Sequence, residues 1–234
     1  FQIPFSLMEG RIRTTGKIIG PILQWMGPPI RVVQNGEWIF FESSWPPAVL
    51  KLSQKAVGGK LSRELCISAD VARYIKQSDV VEISDDYVLT INGITRIRLY
   101  EDKCEPLRPP QFEPYAVAAV SKYHFDTMME RLLRIRPHDI EVSADEKRIT
   151  MKAYRGEALA EATIPATVRR PLEPLEPIYV KDEFFRGVKA LPLAGKVEIA
   201  LGGEPAKAAG EVRYKASVVQ IRAVGEGEYT AWWV

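Results

Sequence analysis

The pattern of apolar and polar positions is clearest between residues 115 and 165, where it shows one complete folding unit. A short apolar run from Tyr115 to Val120 is typical of a strand. Large apolar residues then recur at the i, i+3, i+4, i+7 spacing of one helix face, namely Phe125, Met128, Met129 and Leu132. Pro137 ends this helix, and alternation of apolar and polar residues predicts three strands after it. These strands are Ile140 to Val142, Arg148 to Tyr154 and Ala158 to Ile164.

This succession of strand, helix and three-stranded meander recurs about four times along the chain, which indicates internal duplication. The other predicted helices are Thr15 to Met26, Ala69 to Lys76 and Lys181 to Leu191. The proline-rich segment from Glu101 to Pro114 breaks all periodicity and is the natural connector. We therefore predict an α+β protein with an N-terminal domain (1–100), a connector (101–114) and a C-terminal domain (115–234). Each domain is expected to be a duplicated βαβββ unit with helices on one face and antiparallel sheets on the other.

Two segments fit this pattern less well. Gly20-Pro21 should kink or divide the first helix. The segment from Gly202 to Ala216 is longer than a hairpin needs, and an extra strand at Arg213 to Lys215 stays open.

Basic residues follow a second regularity on the helices. Three helices carry two basic residues spaced three apart on the side away from the apolar stripe, namely Arg73 and Lys76, Arg131 and Arg134, and Arg186 and Lys189. The first helix contributes Lys17. For one pair, ordinary solvated charge is the better interpretation, but three pairs in the same relation to the core favour a common anionic partner. Acidic residues are not excluded from these faces, since Glu130, Asp182 and Glu183 lie nearby.

Composition narrows the class of protein. The chain has 234 residues, of which 46% are hydrophobic and 26% charged, as expected of a soluble globular protein. We expect an intracellular protein, because no apolar run approaches a transmembrane helix and no signal-peptide pattern is visible. The net charge of +2 means that any nucleic-acid binding must come from charge segregation. Cys66 and Cys104 have no metal-ligand or redox spacing, and two free cysteines are favoured over a disulfide between them, which stays open as the alternative.

No catalytic constellation emerges from the sequence. His124 and His138 have no metal-ligand pattern, and Val57 to Leu61 imitates a phosphate-binding loop without its first glycine or its final Ser or Thr. The acidic pairs stand in turns or at a helix start, where they complement hairpins or the helix dipole. We therefore expect neither an enzyme nor a cofactor or metal site.

Four stretches carry a resemblance to a known family. They are NGEWIFFESSWPPAVLKL, DDYVLTINGITRIRLY, SKYHFDTMMERLL with DIEVSADEKRITMKA, and VKDEFFRGVKALPLAGKVEIAL. Together with the order of elements they resemble the DNA sliding clamps of the proliferating-cell-nuclear-antigen family, and archaeal members most. The resemblance implies two similar domains whose helices line a ring of three subunits, identical or paralogous, around duplex DNA. It also implies a nucleoid-associated, cytoplasmic processivity factor that serves replication and repair, with DNA polymerase, ligase, flap nuclease and a clamp loader as partners and no membrane.

The DNA-facing positions that the resemblance implies are Lys17, Arg73, Lys76, Arg131, Arg134, Arg186 and Lys189. A ring that slides needs phosphate attraction without base readout, so such contacts should be cationic, dispersed and individually weak. Aromatic side chains on this face would favour single-strand binding instead, and we expect none there.

The partner-binding positions are carried over from the family as Val49, Leu107 and Trp233, with plain core or loop packing as the competing interpretation. The chain departs from the family pattern in this region. It has Ser44-Trp45-Pro46-Pro47 where clamps usually carry Asp-Pro, and it stops at Val234 where a Leu-Ala-Pro tail would begin. A trimmed sequence and a remodelled pocket both stay open. Alternation in the last strand turns one of Trp232 and Trp233 inward.

Two other classes are weighed against a clamp. A saddle-shaped minor-groove binder would also be duplicated, but it would read DNA with its sheet, whereas the basic groups here lie on helices. A clamp-like paralogue with a checkpoint or signalling role, or with a scaffolding role and no closed ring, remains the alternative. For a closed ring, the strands expected at the subunit edges are Ile94 to Leu99 and Ala158 to Ile164.

Overall fold

The computed structural model describes residues 9–23, 25–27, 29–169, 176–191, 195–208 and 211–234. It divides into two compact units, the first extending to Leu107 and the second beginning at Arg108. Residues 190–191 and 226–229, further along the chain, are grouped with the first unit. No helix in the described ranges is long and apolar enough to cross a membrane.

The first unit combines two antiparallel sheets with two helical segments. Its strands are β1 (Arg11–Thr15), β2 (Ile30–Asn35), β3 (Trp38–Trp45), β4 (Ala48–Lys55), β5 (Gly58–Lys60), β6 (Leu65–Ile67), β7 (Val80–Ser84), β8 (Val88–Ile91) and β9 (Thr95–Arg98). The helical segments are α1 (Gly16–Leu23) and a 3-10 helix (Ala69–Tyr74). One sheet has the order β5-β1-β7-β8-β9, and the other runs β6-β2-β3-β4.

The second unit has the same parts in the same sequence. Its strands are β10 (Glu113–Ser121), β11 (Asp139–Ala144), β12 (Arg148–Arg155), β13 (Ala158–Pro165), β14 (Thr167–Val168), β15 (Ile178–Lys181), β16 (Lys196–Ala208), β17 (Glu211–Val224) and β18 (Glu228–Trp233). Its helices are α2 (Lys122–Arg134) and α3 (Asp182–Ala190). Its strands are ordered β14-β10-β16-β17-β18 in one sheet and β15-β11-β12-β13 in the other.

The strand orders confirm the predicted duplication. Each sheet of the first unit becomes a sheet of the second when every strand is replaced by the strand nine places later. Within each unit, the leading strand of one half pairs with the first meander strand of the other half, as β1 does with β7 and β2 with β6. The fold is therefore α+β with two similar domains, each a duplicated βαβββ unit, as the apolar pattern predicted.

The core of each unit lies beneath the alternating faces of its strands. In β4 every second residue is buried, beginning with Ala48, and in the second unit Phe125, Phe184 and Phe185 are fully buried. Each large apolar side chain buried in this way, such as these phenylalanines, contributes about 1.5–3 kcal/mol when it leaves water. The residues between the buried positions of β4 are half-buried or exposed.

Several element boundaries differ from the predictions. The first helix is Gly16–Leu23 rather than Thr15 to Met26, and the second is a short 3-10 helix. Strands β1, β5 and β14 were not predicted. Strands β5 and β14 contain only 3 and 2 residues, so they carry no periodic signal. No separate strand exists at Arg213 to Lys215 in the described chain, since β16 and β17 continue their ladder to the pair Ala208 and Glu211.

The two cysteines are joined by a disulfide, contrary to the expectation from their spacing. Cys66 lies in β6, Cys104 lies in the connector, and their Cα atoms are 5.6 Å apart. The start of the connector returns to β6, because the Asp102 amide donates a hydrogen bond to the Cys66 carbonyl oxygen at 2.9 Å. The spacing of the two cysteines along the chain could not show that the connector comes back to β6.

Candidate nucleic-acid interface

Helix α2 presents a largely polar face because most of its large apolar residues turn inward. The Ser121 hydroxyl caps the helix by accepting a hydrogen bond from the His124 amide at 3.2 Å. The buried stripe consists of Phe125, Met129, Leu132 and Leu133, together with the aliphatic part of Lys122. Met128, expected in the stripe, is half-buried. At 100° per residue, Tyr123, Thr127, Glu130 and Arg134 then share the opposite face.

The two predicted arginines of α2 are both exposed. Arg134 forms an ion pair with Glu130 at 3.5 Å, one helical turn before it. Arg131 has no acidic partner in the described part of the chain. An exposed ion pair of this kind contributes about 0–1 kcal/mol, so a phosphate group can compete with Glu130 for the Arg134 guanidinium. The Arg131 guanidinium can bind a phosphate group without breaking an ion pair.

Helix α3 holds its basic pair differently. Arg186 is half-buried and bonded to Asp182 at 2.7 Å, whereas Lys189 is exposed. The carbonyl oxygen of Lys189 accepts a hydrogen bond at 3.2 Å from the buried ammonium group of Lys122. That ammonium also binds both carboxylate oxygens of Asp126, at 2.8 and 2.7 Å. Lys122 therefore ties the start of α2 to the end of α3.

In the first unit, close backbone contact sets the position of the basic residues. A Cβ atom at Gly16 would lie only 2.0 Å from the Lys76 carbonyl oxygen, so α1 packs directly on the segment after the 3-10 helix. The Gly16 amide donates a hydrogen bond to the Asp79 carbonyl oxygen at 2.8 Å. This contact brings the segments that carry Lys17 and Lys76 together, and both side chains are exposed.

Of the three predicted DNA-facing cations in this unit, Lys17, Arg73 and Lys76, two have acidic partners. Lys17 pairs with Glu226 at 2.7 Å, and Arg73 pairs with Asp70 at 2.6 Å. The hydrogen bond that the exposed Arg73 guanidinium donates to the Asp70 carboxylate raises the pKa of Arg73 above its ordinary value.

Exposed aromatic side chains lie on the same helical segments as these cations, although none was expected on this face from the sequence. Tyr123 is 76% exposed on α2, and Tyr74 is 45% exposed at the end of the 3-10 helix. The Arg73 guanidinium lies 5.9 Å from the centre of the Tyr74 ring. The spacing of Tyr123 and Arg134 by eleven residues, three helical turns, was the available signal for a shared face.

Comparisons with known proteins address the fold. No protein-family model and no curated protein matches the sequence. A solved structure of a PCNA2–PCNA3 complex from Sulfolobus tokodaii matches with a TM-score of 0.72 and 10% identity, over 96% of this chain and 98% of that chain. Proliferating cellular nuclear antigen from Entamoeba histolytica matches with a TM-score of 0.67 and 9% identity, over 96% of this chain and 97% of that one. The chain has the sliding-clamp fold.

The residues carried over for partner binding do not all reach the surface of this clamp fold. Val49 in β4 and Leu107 in the connector are half-buried. Trp233 is only 6% exposed and packs its ring edge-to-face on Phe184, with ring centres 5.8 Å apart. Trp233 is therefore a core residue, and strand alternation leaves Trp232, which is half-buried, as the outward indole.

Two strands of the clamp fold stand at the edge of a sheet, in the regions predicted for subunit contact. β9 is the last strand of its sheet, and β13 is the last strand of another. Large apolar side chains are exposed beside both edges, namely Ile94 (85%) before β9, Tyr100 (84%) after it and Leu159 (53%) in β13.

In the described residues, no cluster of His, Cys, Asp or Glu has the geometry of a metal site.

Proposed function

We propose that this chain is a subunit of a DNA sliding clamp, a ring of three subunits that encircles duplex DNA and tethers DNA polymerase and other replication and repair enzymes. The observation that carries the proposal is the sliding-clamp fold with exposed cations on helical segments in both units. In this function the chain performs no catalytic step. It acts at the nucleoid as a processivity factor.

The electrostatics of the helices support sliding rather than fixed binding. Four of the seven predicted cations are paired with acidic residues of the chain, and most of these pairs are exposed, so their net attraction for phosphate is weakened. Lys76, Arg131 and Lys189 have no acidic partner in the described ranges. Such dispersed and moderate attraction lets a ring change phosphate partners at low cost as it moves.

The sheet edges support assembly with other clamp chains. An unpaired edge strand is a template for another strand, and ring closure removes two such edges from each subunit. The Sulfolobus tokodaii structure is a complex of two different PCNA chains. The neighbour of this chain in the ring is accordingly a second copy or a paralogue.

The decisive experiment compares retention of the protein on circular DNA with its retention on linear DNA. The protein is loaded on a primed circular DNA with its clamp loader and any paralogues, and the amount retained after gel filtration is compared before and after the circle is cut. A closed ring stays on the circle and slides off the linear form. Equal retention on the two forms would refute encirclement.

Tethering is tested separately by the length of product that a cognate polymerase makes per binding event on primed circular DNA. The clamp should lengthen the product, whereas the protein alone should neither hydrolyse ATP nor alter DNA. ATP hydrolysis by the pure protein would contradict a purely scaffolding role.

A further inference from the structure

The start of the connector is held to β6 by three successive contacts. Glu101 forms an isolated bridge with Ile67, and the Asp102 amide donates its hydrogen bond to the Cys66 carbonyl oxygen. The disulfide between Cys66 and Cys104 follows directly. Beyond it, no backbone group of residues 103–112 is hydrogen-bonded to another backbone group within the described ranges. The disulfide is thus the last anchor of the connector to this strand.

The two cysteines differ in how firmly the rest of the fold holds them. Cys66 is 8% exposed, lies opposite Arg31 in the ladder with β2, and donates its amide hydrogen to the Tyr87 hydroxyl at 3.2 Å. Cys104 is half-buried and lies in a segment without regular structure. Opening the bond would leave Cys66 in place and free the connector side.

We propose that the bond between Cys66 and Cys104 is a thiol–disulfide exchange site, which releases the start of the connector when a dithiol reduces it. The proposal concerns the attachment of one segment to one strand. It therefore holds whether or not the chain encircles DNA.

The exchange proceeds in two balanced steps. One thiolate of the dithiol attacks the Sγ atom of the more exposed Cys104, the S–S bond breaks, and Cys66 leaves as a thiolate that takes up a proton. The second thiol of the reductant then attacks the mixed disulfide and expels Cys104, which is protonated in turn. Two electrons pass to the protein, and the dithiol becomes an internal disulfide.

The first experiment asks whether the bond exists in the full-length protein purified without reductant. The protein is denatured and alkylated before and after treatment with dithiothreitol, and the mass is measured. We expect no alkylated cysteine before reduction and two after it. Two alkylated cysteines without any reduction would overturn the proposal.

The second experiment follows hydrogen exchange in peptides that cover the start of the connector, with dithiothreitol as the reductant. We expect exchange at Asp102 and the next few amides to become at least ~10-fold faster on reduction, while peptides from β2 keep their rate. Reduction should also lower the melting temperature by roughly 5–15 °C, since the bond closes a loop across a sequence separation of 38 residues.

The variant Cys104→Ser supplies the control, because its substitution lies at the half-buried end of the bond. It should behave like the reduced wild type with and without dithiothreitol. If the reduced wild type and the oxidised wild type exchange the connector amides at the same rate, the disulfide is not a releasable anchor and the proposal fails.

Discussion

Single side chains decide how the helices are held and what they offer to a partner. Lys122 is a buried cation whose three donor hydrogens are used by Asp126 and by the Lys189 carbonyl oxygen. A buried charge that loses its partners is costly, as is a partner left without its charge. Arg131 is the opposite case, because nothing in the described chain neutralises it. Lys122 therefore contributes to stability, because it is buried, and Arg131 is available for binding, because it is exposed.

Replacing Lys122 by Met should destabilise the second unit by about 1–3 kcal/mol, because Asp126 and the Lys189 carbonyl oxygen lose a charged donor. Urea denaturation measures the change. Lys147→Met, at an exposed turn, is the matched control and should shift stability by less than about 0.5 kcal/mol. Equal stability of the two variants would show that the Lys122 network contributes nothing.

Replacing Arg131 by Ala tests its contact with phosphate. If the side chain releases one counterion from duplex DNA, the slope of log K against log salt should fall by about 0.9, with no change in sequence preference. Fluorescence anisotropy with duplexes of two unrelated sequences measures both quantities. Arg155→Ala, at the exposed end of β12, should leave the slope unchanged. A preference for one duplex that disappears in Arg131→Ala would instead indicate base readout.

At the scale of elements, glycine allows the close packing that positions the cations of the first unit. Gly16 meets the Lys76 carbonyl oxygen at 2.0 Å from its hypothetical Cβ atom, whereas the equivalent distance from Gly20 to the Ile75 carbonyl oxygen is 3.2 Å. The first contact cannot be relieved without moving backbone. The second needs only a shift of a few tenths of an ångström.

The variant Gly16→Ala should therefore lose roughly 3 kcal/mol or more of stability, since α1 must separate from the segment at Lys76. Gly20→Ala should be nearly neutral, because better helix propensity offsets a mild contact. Thermal unfolding of the two variants compares them directly. A Gly16→Ala protein as stable as Gly20→Ala would show that the two segments are not tightly packed.

The exposed face of α2 combines Tyr123 with cations, which suits stacking on an unpaired base. We predict that Tyr123→Ala weakens binding of oligo(dT) by about 1–3 kcal/mol, roughly 5- to 150-fold, and leaves duplex binding within twofold. Tyr179→Ala, 59% exposed on β15, is the control and should change neither. Equal weakening on single strands and duplex would mean that the tyrosine has no role in stacking.

Most of these elements could be predicted from local pattern, because hairpin turns and apolar stripes are written in neighbouring residues. Asn35-Gly36 and Asn92-Gly93 mark turns, and Gly36, Asn92 and Gly93 all adopt positive φ. What could not be predicted depends on residues far apart in sequence, such as the return of Cys104 to β6. The inward turn of Trp233 belongs to the same class, because alternation fixes that one indole is buried but not which one.

At the scale of the whole molecule, the fold persists at about one tenth sequence identity because it depends on duplication and on where apolar residues recur. Surface residues are free to differ, which is why the match is visible in structure and absent from family models. The contacts proposed for this chain lie on its sheet edges and its helix faces. The edges carry the proposal of assembly.

Assembly through the edge of β13 places Leu159 within a contact, since this residue lies in the edge strand opposite Tyr154 and is 53% exposed. Leu159→Lys introduces a charge that must be desolvated and removes an apolar contact, so trimer formation should need roughly 10- to 100-fold more protein. Light scattering across a dilution series, with any paralogues present, measures the midpoint. Val57→Lys, 58% exposed in the link between β4 and β5, is the matched control and should leave the midpoint unchanged. Equal midpoints for wild type and Leu159→Lys would show that the edge of β13 takes no part in the ring.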